Sequence, residues 1–167
     1  MKRLALLTLL CAGTILLAQD VHYNYDRDAN FGAYKTYQWM ANGRDRDQLI
    51  DADIRRAIEA QLAKQGLQRV ETGGNLHIRY ETAVDRERQL EGWSMGPRWS
   101  GMARANTSMV EIGTLVITMF DPTKKQLVWR GTVTKTLDIK KDPGKNYKNL
   151  EKAVAKLLQN YPPKSKS

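Results

Sequence analysis

The sequence has almost no cysteine or histidine. The single cysteine of the 167 residues, Cys11, lies in an N-terminal apolar run, so disulfide scaffolds and thiol catalysis are not expected in the mature chain. The two histidines, His22 and His77, are too few for a zinc site, which usually takes three or four ligands. Both fall on the polar side of an alternating pattern, which is typical of surface positions. We therefore predict neither a metal nor another cofactor.

The sequence also lacks the short motifs of nucleophilic and nucleotide-binding sites. There is no Gly-x-Ser-x-Gly elbow, no phosphate-binding loop ending in Gly-Lys, and no dinucleotide-binding glycine pattern. Acid–base catalysis by two carboxylates requires environments that separate their pKa values. No such pair is evident among the acidic residues on or beside predicted strands, which are Glu81, Asp85, Glu111 and Asp138. The sequence therefore predicts no catalytic residue.

Residues 1–18 have the pattern of a secretory signal peptide. A short basic start is followed by an almost unbroken apolar run from Leu4 to Leu17, and Ala18 offers a small residue for cleavage. The run is shorter than the roughly 20 apolar residues of a membrane span. We expect export to the periplasm or to the outer membrane, with no transmembrane span in the mature protein. A lipid anchor at Cys11 is disfavoured, because the apolar run continues past it.

The rest of the chain alternates between strand and helix patterns. Strands are predicted where apolar and β-branched residues alternate with polar ones, at 21–25, 34–40, 68–70, 76–85, 109–120 and 126–137. The last two form a hairpin around the turn Asp121–Lys125. The spacing predicts one helix over 49–65, with Ile50, Ile54, Ile58 and Leu62 on its apolar face, and a second helix from Asn146 to Tyr161.

This order predicts an α+β fold, with a mainly antiparallel sheet and two helices packed on one face. We expect a single domain over residues 19–163 and a disordered basic tail over residues 164–167. Alternation along the last strand places Trp129 in the core and Arg130 on the other face, where a specific contact by Arg130 is a minor alternative to simple exposure.

Positive charge is concentrated near the C-terminus. Residues 121–167 carry twelve Lys or Arg and four Asp or Glu, whereas residues 19–120 carry thirteen and fourteen. Lysines recur every three or four residues in the second helix and share one face: Lys145, Lys148, Lys152 and Lys156. This face is either simply solvated or attracted to an anionic lipid surface, an acidic polymer or an envelope protein. Nucleic acid would also suit the charge, but export argues against it.

Residues 86–107 fit neither period and predict a long loop. Large apolar side chains stand there among glycines, at Trp93, Met95, Trp99 and Met102. Aromatic residues beside arginine are typical interface anchors. They either bind a partner or fold back over an open sheet face.

Several stretches together resemble one bacterial envelope family, DUF4136, a domain of unknown function. The two most specific are Tyr34-Lys-Thr-Tyr37-x-Trp39 and Leu127-Val-Trp-Arg-Gly131. The others are Tyr25-Asp26, the helix ending Lys64-Gln-Gly66, Asn75–Tyr80, Gly113–Ile117 and Tyr161-Pro-Pro163. The resemblance covers nearly all of the mature chain and implies an exported α+β domain with no assigned activity. Many members look like lipoproteins, a feature from which this leader departs.

We therefore expect an exported envelope protein that acts as a non-enzymatic binding or structural module. The alternative is a periplasmic hydrolase or small-ligand carrier that uses the 86–107 loop as a lid. A pocket with two inward carboxylates would favour the alternative, and a sheet face filled by side chains would count against it.

Overall fold

The computed structural model describes residues 20–40, 48–91, 106–137 and 142–163. The strands are β1 (Asp20–Tyr25), β2 (Thr36–Trp39), β3 (Gln68–Arg69), β4 (Leu76–Glu91), β5 (Asn106–Asp121) and β6 (Gln126–Leu137). The helices are α1 (Gln48–Lys64) and α2 (Pro143–Leu158), with a short 3-10 turn at Phe31–Ala33.

The six strands form one sheet in the order β1-β6-β5-β4-β2-β3. Pairing is antiparallel from β1 to β4, whereas β2 runs parallel to both of its neighbours, β3 and β4. The α+β fold with a mostly antiparallel sheet is thus confirmed. The parallel edge arises because α1 connects β2 to β3, and a crossover of this kind returns the chain in the same direction.

One face of the sheet carries the hydrophobic core. The strand register places Ile78, Met119 and Trp129 side by side in one row, and all three are fully buried. The two helices pack against each other and cover this face, with Ile58 of α1 and Leu157 of α2 fully buried in the same cluster. This face is therefore filled by side chains.

The structure corrects the predicted loop over residues 86–107. Strand β4 continues to Glu91 and β5 begins at Asn106, and the two pair in register from Arg86↔Glu111 to Glu91↔Asn106. Since β6 ends opposite Glu111, the hairpin beyond this point has no third strand among the described residues. Residues 86–91 carry mostly charged side chains in no apolar alternation, which is why the sequence pattern did not predict a strand there.

Both helices differ from prediction at their N-terminal ends. Ile50 was expected on the buried face of α1, but it is exposed, and burial begins at Ile54. Helix α2 starts at Pro143 rather than after Asn146, because the Asp142 side chain accepts a hydrogen bond from the Gly144 N–H and caps the helix. Proline is favoured at the first helical position, where its missing N–H costs nothing.

Candidate interaction surfaces

The lysine face of α2, defined as Lys145, Lys148, Lys152 and Lys156, points away from the core. A helix turns about 100° per residue, so these four positions lie opposite the buried Val154 and Leu157. Lys145, Lys148 and Lys152 are exposed, and Lys156 is half-buried. Core packing therefore explains the apolar side of α2, whereas the lysine side faces solvent.

Little acidic charge offsets the lysine face. Helix α2 contains a single acidic residue, Glu151, which hydrogen-bonds the Tyr147 hydroxyl. Burial and the Glu151 charge both raise the pKa of Tyr147, which is therefore neutral near pH 7. Arg56 of α1 stacks over the Tyr147 ring at 5.8 Å from its centroid and pairs with Asp53 at 3.7 Å, so it adds no net charge to this surface. Among the described residues, Lys145, Lys148 and Lys152 have no ion-pair partner.

The outward sheet face, which the helices do not cover, is polar. It is formed by the strand residues that alternate with the core positions: His22 and Asn24 of β1, Arg130 and Thr132 of β6, Val116 and Thr118 of β5, and Arg79 and Glu81 of β4. Arg79 and Glu81 form an ion pair of 3.1 Å. Arg130 is exposed, as predicted, and has no ion-pair partner in the described part of the chain.

A shallow depression of about 180 Å³ lies at the β1 end of this face. It is lined by His22, Tyr23, Asn24, Arg130 and Thr132. The register explains this set, because Asn24 lies opposite Arg130 and His22 lies opposite Thr132. No acidic residue lines the depression, so a pocket with two inward carboxylates is not what this surface provides.

A polar network lies where α1 meets the parallel edge of the sheet. The Trp39 indole N–H donates to Glu59 at 2.7 Å, and Arg55 lies over the Trp39 ring at 4.8 Å. Arg55 also pairs with Asp51 at 2.7 Å, and Asp51 accepts a hydrogen bond from the Tyr80 hydroxyl. The carboxylates of Asp51 and Glu59 are therefore both paired with a cation, Asp51 with Arg55 and Glu59 with Arg69 at 3.2 Å. The network therefore holds α1 against the sheet rather than leaving a carboxylate available for proton transfer.

Tyr34 and Asp121 form a buried contact between distant parts of the chain. The Tyr34 hydroxyl donates to Asp121 at 2.8 Å. Burial, followed by the Asp121 hydrogen bond and charge, raises the pKa of Tyr34 to about 12. Burial alone would raise the pKa of Asp121, but hydrogen bonds from the Lys124 N–H, the Tyr34 hydroxyl and the Thr123 N–H lower it. Asp121 thus fixes both the β5–β6 turn and the segment before β2.

We expect Asp121→Asn to destabilise the fold by about 2 kcal/mol near neutral pH, because it weakens charge-assisted hydrogen bonds to a buried carboxylate. A carboxyl with a lowered folded-state pKa stabilises the protein above its unfolded pKa of about 3.9, and this contribution is lost as the pH falls through the folded value. The stability difference between the two proteins should therefore shrink below about pH 4. Urea unfolding across pH measures this, with the exposed Asp28→Asn as control; a difference independent of pH would contradict the assignment.

The structure does not bring all the predicted partner-binding residues together. Trp93, Met95, Trp99 and Met102 lie outside the described residues, as do the leader and the tail at 164–167. Their proposed roles stay predictions. The alternative function used residues 86–107 as a lid, but residues 86–91 and 106–107 of that segment are strand. The sequence did not predict the depression. Its only trace in the sequence is the row of polar positions in β1 and β6, two strands that are far apart in the chain.

Among the described ranges, no group of three or more His, Cys, Asp or Glu side chains is arranged to hold a metal ion. In the same ranges, no helix is long and apolar enough to cross a membrane.

Comparison with solved structures shows the fold. A PDZ domain protein from Parabacteroides distasonis matches with a TM-score of 0.61 at 14% identity, over 87% of this chain and 36% of that chain. The chain thus corresponds to about a third of that protein. The PelC dodecamer from Paraburkholderia phytofirmans matches with a TM-score of 0.51 at 11% identity, over 84% of this chain and 95% of that chain.

Sequence comparison gives the family. No curated protein matches the sequence significantly. A family model described as "Domain of unknown function (DUF4136)" matches residues 21–163, which include every described strand and helix except the first residue of β1. The chain therefore belongs to the DUF4136 family.

Proposed function

We propose that this chain is an exported, non-enzymatic binding module of the bacterial envelope that docks through the lysine face of α2 onto an anionic lipid surface. The observation that carries the proposal is the lysine face itself. Its charge is exposed, and the one acidic residue of the helix is engaged with Tyr147. The opposite side of α2 is buried in the core, so the helix can present these charges without losing its own packing.

The expected strength of this contact follows from charge. A basic residue near an anionic membrane surface contributes about 1 kcal/mol, and the attraction falls off within a Debye length of about 10 Å at 0.1 M salt. Four lysines on one helix face all lie within that range of a surface that the helix touches. Binding should therefore be measurable at low salt and weaken strongly as salt is added.

The leader supports the cellular location in this proposal. The pattern of residues 1–18 is typical of a secretory signal, and Cys11 stands in a poor context for lipidation. A mature chain without a lipid anchor would depend on its own surface to stay near a membrane. The lysine face supplies such a contact, which salt can reverse.

The test compares two variants with the same charge change. Replacing Lys145, Lys148 and Lys152 by glutamine should weaken binding to phosphatidylglycerol-containing vesicles by about a hundredfold, since about 3 kcal/mol of attraction is removed. The control replaces Lys35, Lys64 and Lys125, which are exposed elsewhere. Vesicle flotation at low salt measures both.

The outcomes separate the ligand classes. Equal weakening by the two variants would show unspecific attraction to a basic protein and would contradict the proposal. Absence of binding to these vesicles at low salt would also contradict it. Should the chain instead bind an acidic polymer such as polygalacturonate through the same lysines, the lipid assignment would be replaced by the polymer.

A further inference from the structure

We propose that the depression between β1 and β6 binds an oxyanion group, a carboxylate or a phosphate, with Arg130 as its principal donor. The structure carries this inference by bringing together Arg130, Asn24, His22 and Thr132 in one place. The site lies on the outward sheet face, whereas α2 packs on the other face. It is therefore separate from the lysine face and does not rest on the function proposed above.

Among the described residues of this face, Arg130 is a cation without an ion-pair partner. The other arginine in the same row of the sheet, Arg79, is paired with Glu81. Arg130 instead lies between Asn24 on β1 and Thr118 on β5, two neutral residues. A guanidinium carries five N–H donors in a planar fork that matches the two oxygens of a carboxylate or phosphate.

The neighbouring side chains offer further hydrogen-bond donors. The Asn24 carbonyl oxygen accepts a hydrogen bond from the Tyr25 N–H at 2.9 Å, so the amide N–H₂ is the end left to donate. Thr132 adds a hydroxyl, which can donate or accept. His22 lies 3.1 Å from Asp20, and both side chains are exposed, so Asp20 places a negative charge at the rim.

The depression is open to solvent, so the groups that surround it, rather than its volume, decide what it binds. A guanidinium, an amide and a hydroxyl lie around it, which is enough to contact one anionic group. The site thus suits the charged group of a larger molecule, such as an acidic sugar or a phosphate ester, or a small free anion.

The site is tested by residue-resolved NMR titration of the purified chain at low salt with glucuronate, inorganic phosphate and, as the neutral control, glucose. We expect saturable shifts at His22–Asn24 and Arg130–Thr132, with a dissociation constant of about 1 mM, and no response to glucose. A larger response to glucuronate would indicate an acidic sugar, and a larger response to phosphate a phosphate ester; both support the site.

Two variants test the assigned donor against a matched control. Arg130→Gln should weaken anion binding by about tenfold because a charge-assisted hydrogen bond is lost, whereas Arg27→Gln, the same change at an exposed position, should leave it unaltered. Asp20→Asn should strengthen binding, because the competing charge at the rim is removed. The proposal would be overturned if both arginine variants weakened anion binding equally, if the NMR shifts were confined to α2, or if no shift saturated. The lysine-face variants test the proposed membrane binding independently.

Discussion

Replacing Trp129 by alanine is expected to destabilise the chain by about 4 kcal/mol, within the range measured for buried Trp in other proteins. Trp129 is fully buried in β6, and its ring meets Tyr161 edge-on with centroids 5.9 Å apart. The deletion leaves a large cavity between the sheet and the segment that follows α2. The Trp129 indole N–H has no hydrogen-bond partner in the described part of the chain, so its removal offsets a little of the loss.

Equilibrium unfolding in urea measures this effect, and Arg130→Ala serves as the control on the neighbouring outward position. We expect the control to change stability by less than about 0.5 kcal/mol, as exposed substitutions usually do. A loss of under about 1 kcal/mol for Trp129→Ala would contradict the packing described for β6 and α2.

Gly131→Ala is expected to cost about 3 kcal/mol, at the upper end of typical overpacking penalties. A Cβ at this position would stand 2.3 Å from Cη2 of Trp129 and 2.7 Å from Cδ1 of Leu157. Both neighbours are fully buried and have no room to move. The Trp129 ring folds over Gly131, so the glycine makes the contact between β6 and α2 possible.

Gly113 of β5 provides the matched control. The nearest atoms to a Cβ there belong to the Leu137 side chain, at 2.9 Å and beyond, and Leu137 is 39% exposed. Because this side chain can turn away, Gly113→Ala should cost about 1 kcal/mol or less. Thermal or urea unfolding of both variants tests the account, and an equal loss for the two would show that the Trp129 ring does not lie over Gly131 in solution.

The motifs that identify the family are largely structural. In the first, Tyr34 binds Asp121, Tyr37 is buried and Trp39 binds Glu59. In the second, Trp129 fills the core and Gly131 makes room for it, whereas Arg130 points outward without a packing role. Arg130 in the second motif and Lys35 in the first are both exposed, so core packing explains neither side chain.

Periodicity was sufficient to locate most of the strands and helices. The burial of Ile54, Ile58 and Leu62 followed from helical spacing, and the burial of Trp129 followed from alternation along β6. The far ends of β4 and β5 were missed, since the charged sequence of residues 86–91 shows no alternation of apolar and polar residues. The start of α2 was missed because Asp142 and Pro143 read as loop residues, although together they form a helix N-terminus.

The candidate surfaces differ in how far the sequence could predict them. The lysine face lies within one helix, so spacing alone places its four residues together. The depression is formed by residues of β1 and β6 that are more than a hundred positions apart in the chain. It depends on the strand register that places Asn24 opposite Arg130. Single-sequence patterns do not specify long-range strand pairing, and the depression therefore needed the structure.

The two surfaces face in opposite directions, one on the outer side of α2 and the other on the uncovered sheet face. A molecule bound at the lysine face would leave the depression accessible. The two proposed contacts are therefore compatible with each other on one chain.

The central claim, that this is an exported module held at an envelope surface by reversible charge contacts, is tested most directly by the intact mass of the chain in separate envelope fractions. We predict a species that begins at Gln19, recovered with membranes at low salt and released from them at high salt. A chain that still begins at Met1 and stays inside the cell would contradict export. A heavier, lipid-bearing species that begins at Cys11 and resists salt would contradict the charge-based attachment.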